Sequence, residues 1–261
     1  MNRLKVAFQN RTKSLLMTFT VAGDPDYATS LEIVRALLNG GADIIELGLP
    51  FSDPVADGPV IQKADQRALA SGMNTDRFFD LVRDIRRESD IPLVVLTYTN
   101  LILQRNIRKF YQDAADAGID AVVVADLPYE EAGPYIDAAE AVGVAPVMMV
   151  STTTSPERLS KILTVHSGFI YLVAALGVTG MRSHTDPVAR NLLLDLKKRT
   201  NIPVAPGFGI SDREQIREWA DAGADAVIVG SALVRKIEEC LNEPDTLVPG
   251  ITEFVQSLIK E

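Results

Sequence analysis

Ala222-Gly223-Ala224-Asp225-Ala226-Val227-Ile228-Val229 is a complete handover from helix to strand. Gly223 suits the left-handed residue that ends a helix, and the apolar run after Asp225 has the unbroken character of a strand buried on both faces. The same pattern stands at Gly40-Gly41-Ala42-Asp43-Ile44-Ile45 and at Ala117-Gly118-Ile119-Asp120-Ala121-Val122-Val123-Val124. Two further strand entries, Asp90-Ile91-Pro92-Leu93-Val94-Val95 and Asn201-Ile202-Pro203-Val204-Ala205, put proline at a strand start, where its missing N–H does least damage.

Outward from these handovers, apolar runs predict strands at 15–21, 44–49, 93–97, 121–125, 145–150, 169–173, 204–205 and 226–229. Amphipathic segments at 27–39, 76–88, 107–117, 156–165, 189–199 and 212–222 separate them. Regular alternation, with no linker, low-complexity stretch or shift in composition, points to the α/β class. The expectation is a (β/α)8 TIM barrel forming a single domain over residues 1–261. No Gly-x-Gly-x-x-Gly follows the first strand, which weakens a dinucleotide-binding sheet.

Composition narrows the function classes. A net charge of -9, with no cluster of Lys and Arg interleaved with aromatic residues, argues against a nucleic-acid partner. Cys240 is the only cysteine, so no internal disulfide forms and a reducing cytoplasm fits. The N-terminal residues lack the apolar core of a signal peptide, and no apolar run reaches about 18 residues, so a soluble, unexported protein without membrane contact is expected.

In a parallel barrel the active site lies at the C-terminal ends of the strands. Glu46 lies inside the second apolar run, where an ionised carboxylate needs a partner, a proton or a substrate. Asp57 precedes Gly58-Pro59 and serves equally well as a helix cap or a site carboxylate. Asp24 and Asp126, each close before a proline, read as turn or cap residues. The last three strand ends carry Gly177-Val178-Thr179-Gly180, Gly207-Phe208-Gly209-Ile210-Ser211 and Gly230-Ser231-Ala232. Such backbone approaches an anion closely, and the last two loops are the usual phosphate site of phosphate-binding barrels. No lysine falls at a strand end facing this site, which disfavours a Schiff base, and His166 and His184 have no ligand-spaced neighbours, so no metal is indicated. General acid/base work by two carboxylates on a phosphorylated substrate remains.

The run Glu46-Leu47-Gly48-Leu49-Pro50-Phe51-Ser52-Asp53-Pro54-Val55-Ala56-Asp57-Gly58-Pro59 resembles the signature of the α subunit of tryptophan synthase. Ala22-Gly23-Asp24-Pro25, Val124-Ala125-Asp126-Leu127-Pro128, Tyr171 and the glycine-rich stretches follow in that family's order, over nearly the whole chain. The resemblance implies a lyase of tryptophan biosynthesis that cleaves indole-3-glycerol phosphate to indole and glyceraldehyde 3-phosphate. It implies no cofactor in this chain, and an α2β2 complex with a β subunit that receives the indole and carries pyridoxal phosphate. Carried over, Glu46 is the general acid/base, Asp57 accepts a hydrogen bond from the indole N–H, and Tyr171 supports them. Phe19, Ile61, Leu96 and Leu127 line the indole pocket, and Gly180, Gly209, Gly230 and Ser231 hold phosphate. Loops 50–58 and 177–185, with Asp53 and Thr179, are lids, the first also presenting Phe51 and Asp53 outward to the partner.

Val21, Thr99, Ala174-Ala175 and Pro206 depart from the family's usual residues, and Pro206 is expected to end the seventh strand early. Two other readings stay open. One is a stand-alone lyase that releases free indole; the other is a module kept chiefly to bind and activate the β subunit.

Overall fold

The computed structural model describes residues 2–174, 186–241 and 243–259. Its strands are β1 (Leu15–Val21), β2 (Ile44–Gly48), β3 (Leu93–Thr97), β4 (Ala121–Val124), β5 (Ala145–Ser151), β6 (Ile170–Val173), β7 (Val204–Gly207) and β8 (Ala226–Val229). The helices are α1 (Arg3–Asn10), α2 (Tyr27–Gly40), α3 (Pro59–Ala70), α4 (Thr75–Glu88), α5 (Thr99–Arg105), α6 (Ile107–Ala117), α7 (Gly133–Ala141), α8 (Pro156–Ile162), α9 (Pro187–Arg199), α10 (Arg213–Asp221), α11 (Ser231–Cys240) and α12 (Pro244–Ile259). The strands pair in parallel in the order β7-β6-β5-β4-β3-β2-β1-β8. β1 to β4, β7 and β8 are buried along their whole length, as parallel strands covered on both faces must be.

The three repeated handovers acquire a common physical meaning. Asp43, Asp120 and Asp225 each donate a backbone N–H to one carbonyl on the preceding strand: Leu16, Leu93 and Val204, all at 2.9 Å. Each carboxylate then accepts the N–H of that same residue, at 2.8, 3.0 and 2.7 Å. A two-point clasp of this kind fixes register, because a slip of one residue would break both bonds and turn every side chain to the other face. The Asp225 clasp joins β7 to β8 and closes the barrel.

Asp120 also accepts the Arg3 N–H at 3.0 Å and pairs with Arg86 at 2.7 Å, and Asp225 pairs with Lys197 at 2.6 Å and with Arg11. These contacts bracket α1, whose Leu4 and Phe8 are buried and whose Phe8 ring lies 6.1 Å from that of Phe169. The N-terminal end of the barrel is thereby plugged, and the C-terminal end is left for chemistry.

β7 runs through Pro206 to Gly207, with Pro206 paired to Leu172, so the expected early stop does not occur. Backbone groups alternate sides along a strand, and the Val204 N–H already points to Asp225 on the β8 side. Pro206, two residues on, therefore directs its missing N–H to the same seam, where no ladder continues, and the β6 ladder loses nothing.

Asp225→Ala is expected to destabilise the chain by about 2–4 kcal/mol, mainly by leaving the buried Val204 N–H without an acceptor. The Lys197 and Arg11 pairs add little, since both cations are about a third exposed. Asp225→Asn keeps an oxygen for Val204 and should recover more than half of the loss in urea unfolding. Equal loss in both variants would contradict the clasp.

Candidate active site

Glu46 is the third residue of β2, paired in register with Phe19 on β1 and Val94 on β3. Its side chain is fully buried, and neither carboxyl oxygen has a hydrogen-bond partner among the described residues. Burial is the main cause, and the negative charge of Asp57 the second, that pushes the Glu46 carboxyl up to about 8. It therefore carries its proton at neutral pH.

Asp57 does not cap the helix that follows. Gly58 is the N-cap of α3 and makes no side-chain cap bond, while the Asp57 Oδ2 accepts the Tyr98 hydroxyl at 2.6 Å. Burial pushes Asp57 up to about 6, against the opposing effect of that bond, so it is ionised at neutral pH. Tyr98 also accepts the Ala56 N–H at 3.2 Å and packs its ring 5.3 Å from Phe51. The loop 49–58 thus drapes over the end of β3 with Asp57 beneath it. Asp53 is exposed as expected, but Phe51 is half-buried against Tyr98, and Val55 is the apolar residue that faces outward, 81% exposed.

Tyr171 on β6 is buried, and burial first, then the charges of Glu46 and Asp57, push its phenol well above its ordinary value. Its hydroxyl lies where a side chain at Gly207 would stand, so glycine is required there. Phe208 packs its ring 5.7 Å from Tyr171. Phe19 and Leu96 are buried and flank Gly48: a side chain there would meet the Phe19 ring, and Leu96 is its partner on β3. Ile61 is buried in the first turn of α3, and Leu127 is half-buried beyond β4. Val21 and Ala174 are both buried.

The anion side of the site stands on β7 and β8. Phe208 and Gly209 both adopt left-handed backbone, at φ 72° and 78°, a conformation that costs a non-glycine residue energy and so marks a constrained loop. α10 beyond it is capped by Asp212, which accepts the Gln215 N–H at 3.0 Å. α11 has no side-chain cap at Gly230, and Ser231 is exposed at its first position. Its first N–H groups remain open to an anion. Gly180, Thr179, Ala175, His184 and the loop 177–185 lie outside the described residues.

Two acidic residues stand at a turn and a cap, as the sequence suggested, and each also has a long-range partner. Asp24 closes the turn after β1, donating its N–H to the Val21 carbonyl at 3.3 Å, and its carboxylate is also buried in a two-pronged pair with Arg67, at 2.6 and 2.8 Å. Asp126 is a cap, but for α5, accepting the Thr99 N–H and hydroxyl, each at 2.8 Å. Sequence reasoning passed over Tyr98, which binds Asp57, and Asp65, a buried carboxyl on α3; in Asp65 the signal was an acidic residue at the apolar spacing of Ile61, Ala64 and Ala68.

A closed parallel barrel with a protonated glutamic acid, an ionised aspartate and an uncapped helix N-terminus at one mouth is a (β/α)8 barrel suited to acid/base work on an anion. The family profile described as "Tryptophan synthase alpha chain" matches residues 6–261. The chain is 46% identical over 260 residues to the tryptophan synthase alpha chain of Methanoregula boonei, covering 100% of this chain and 98% of that one. It is 49% identical over 231 residues to that of Methanosarcina barkeri, covering 88% and 86%. It superposes with a TM-score of 0.89, at 37% identity, on a chain from the tryptophan synthase α2β2 complex of Pyrococcus furiosus, covering 95% of this chain and 99% of that one. This chain belongs to the tryptophan synthase alpha chain family.

The burial of Glu46 has a consequence for stability. Its proton is held more tightly in the folded state, at about 8, than at its ordinary value of 4.5, so the stability it allows is fully present below about 4.5 and is lost as pH rises through about 8. Glu46→Gln removes this titration, so the Tm of the variant should gain on wild type between pH 5.5 and 8.5. A Tm difference independent of pH would mean that Glu46 does not titrate in this range.

Proposed function

We propose that this chain is the lyase that cleaves indole-3-glycerol phosphate to indole and glyceraldehyde 3-phosphate in tryptophan biosynthesis. The observation that carries the proposal is the pair formed by a protonated, unpartnered Glu46 and an ionised Asp57, facing one interior space below an open helix N-terminus. The relatives' shared name supports it.

Each group has the protonation state that its step needs. Glu46 gives its proton to indole C3, which places positive charge on the ring nitrogen, and Asp57, fixed by Tyr98, accepts the ring N–H and stabilises that charge. The resulting Glu46 carboxylate takes the proton of the side-chain hydroxyl. The carbon–carbon bond then breaks, its electron pair returns to the ring, and the hydroxyl carbon becomes the aldehyde. Glu46 ends protonated, ready for another cycle. Phe19, Leu96, Ile61, Leu127 and Tyr171 enclose the ring, and Gly209, Gly230 and Ser231, with Gly180, hold the phosphate. The chain acts as one cytoplasmic domain, and no helix among the described residues is long and apolar enough to cross a membrane.

The partner is a β subunit, a reading that the α2β2 complex of Pyrococcus furiosus supports, and the family resemblance implies that this subunit takes the indole and holds the pyridoxal phosphate. Loop 49–58 joins the two carboxylates and exposes Asp53 and Val55, so contact there can close the site.

Indole release with and without a cognate β subunit tests this assignment. The rate should be bell-shaped in pH, with limbs near about 6 and about 8, because Asp57 must be ionised and Glu46 protonated. Glu46→Gln should lose at least ~100-fold. The β subunit should add at least ~10-fold, most of which Asp53→Ala should lose. A Glu46→Gln variant within threefold of wild type would remove Glu46 from the chemistry, and no activation by β would leave a stand-alone lyase.

A further inference from the structure

Helices α3 and α11 interrupt the strand–helix alternation of the barrel. α3 is inserted between β2 and α4, and α11 between β8 and α12. In the outer layer α12, α2, α4 and α6 pack in succession, whereas α3 and α11 pack on each other and on β1. Each insertion begins at a different half of the proposed site. α3 starts two residues after Asp57 and carries Ile61 in its first turn, while α11 starts at Ser231 with no side-chain cap. How these two helices sit against each other therefore sets the span between the ring's partner and the phosphate's.

Arg67, in the last turn of α3, ties them together. Its Nε and Nη2 donate to the two carboxylate oxygens of Asp24, at 2.6 and 2.8 Å, and its Nη1 donates to Glu238 of α11 at 3.3 Å. Asp24 is buried, and the turn that bears it is itself held. The Gly23 N–H donates to the Ser30 hydroxyl at 3.0 Å, and Met73 packs so closely over Gly23 that a side chain there would collide with it. One planar guanidinium thus fixes α3 to this turn with two nitrogens and reaches α11 with the third. Lys63, one turn earlier on α3, comes only within 4.0 Å of Glu238 from a mostly exposed position and adds little.

We propose that Arg67 is a positioning residue that, through Asp24 and Glu238, holds the helix leading from Asp57 at a fixed span from the phosphate-binding N-terminus of α11. The proposal rests on the lyase reading for the identity of the two ends. Arg67 is spent on two carboxylates and serves neither end directly. Its effect falls on ligands that engage both ends at once, because only for these does a shift of one helix against the other cost affinity. Glu238 is partly exposed, so the tie is worth a few-fold and not orders of magnitude.

Three probes separate the ends: inorganic phosphate, indole, and an indole carrying a three-carbon alkyl phosphate, which has the length of the substrate without its hydroxyls. In Glu238→Ala, Asp24 keeps its buried pair with Arg67, so the chain folds and only the tie to α11 is cut. Calorimetry on the isolated chain should show about a threefold to fivefold loss of affinity for the two-ended probe, and less than about a twofold change for phosphate and for indole. Glu238→Gln, which keeps an acceptor, should recover part of that loss. Arg67→Lys leaves a charge for Asp24 but no second arm for Glu238, so adding Glu238→Ala to it should cost nothing further. The proposal is overturned by an unchanged affinity for the two-ended probe in Glu238→Ala, by an equal loss for all three probes, or by losses that add in the double variant. A wild type that binds the two-ended probe no more tightly than phosphate alone also overturns it, since the ends would not then be engaged together. If wild type binds all three probes but releases no indole from indole-3-glycerol phosphate, the lyase reading fails instead, and the same affinities still decide the role of Arg67.

Discussion

The structure is organised around the cost of keeping Glu46 dry. A carboxyl inside a closed barrel of Ile, Val and Leu cannot ionise cheaply, and Asp57 nearby raises that cost further. Both causes act in the same direction and leave a proton on Glu46 where solvent would remove it. The same low-dielectric interior makes an ionised Asp57 strongly attractive to any cation that develops beside it. One feature of the packing thus separates two like residues into an acid and an anion.

The two ends of the barrel divide stability from function. At the N-terminal end, Asp43, Asp120 and Asp225 satisfy backbone groups at three strand starts, and the last two also gather Arg3, Arg86, Arg11 and Lys197. At the C-terminal end the polar groups are left incomplete. Glu46 has no partner among the described residues, α11 has no side-chain cap, and Phe208 keeps a left-handed backbone. Unsatisfied groups and local strain of this kind destabilise a fold, and they persist where a bound molecule completes them.

Much of this was legible in the sequence because it is written locally. The Gly-x-Asp handovers located strands to within a residue or two, since a left-handed C-cap and a buried β-branched run are short-range signals. Glu46 stood out because its own neighbours are apolar. Asp57 was ambiguous because its neighbours Gly58 and Pro59 are compatible with a cap, and only the Tyr98 hydroxyl, 41 positions away, decides the matter. The Arg67 partner of Asp24 is beyond local signals for the same reason, since it lies 43 positions along the chain. Pro206 ends a strand only if its missing N–H faces a paired neighbour, and which side it faces follows from barrel closure, not from the sequence around it. Phe51 was expected outward because its loop is rich in proline and polar residues, yet Tyr98 gives its ring a partner.

The protonation of Glu46 is the central claim, and a carbon-13 NMR titration of glutamate carboxyls in the isolated chain measures it directly, with the Glu46 signal assigned by its absence in Glu46→Gln. The Glu46 carboxyl should stay protonated through neutrality and titrate near about 8. A Glu46 signal that titrates near its ordinary value of 4.5 would contradict it, because the residue would then be ionised at neutral pH with no proton to give.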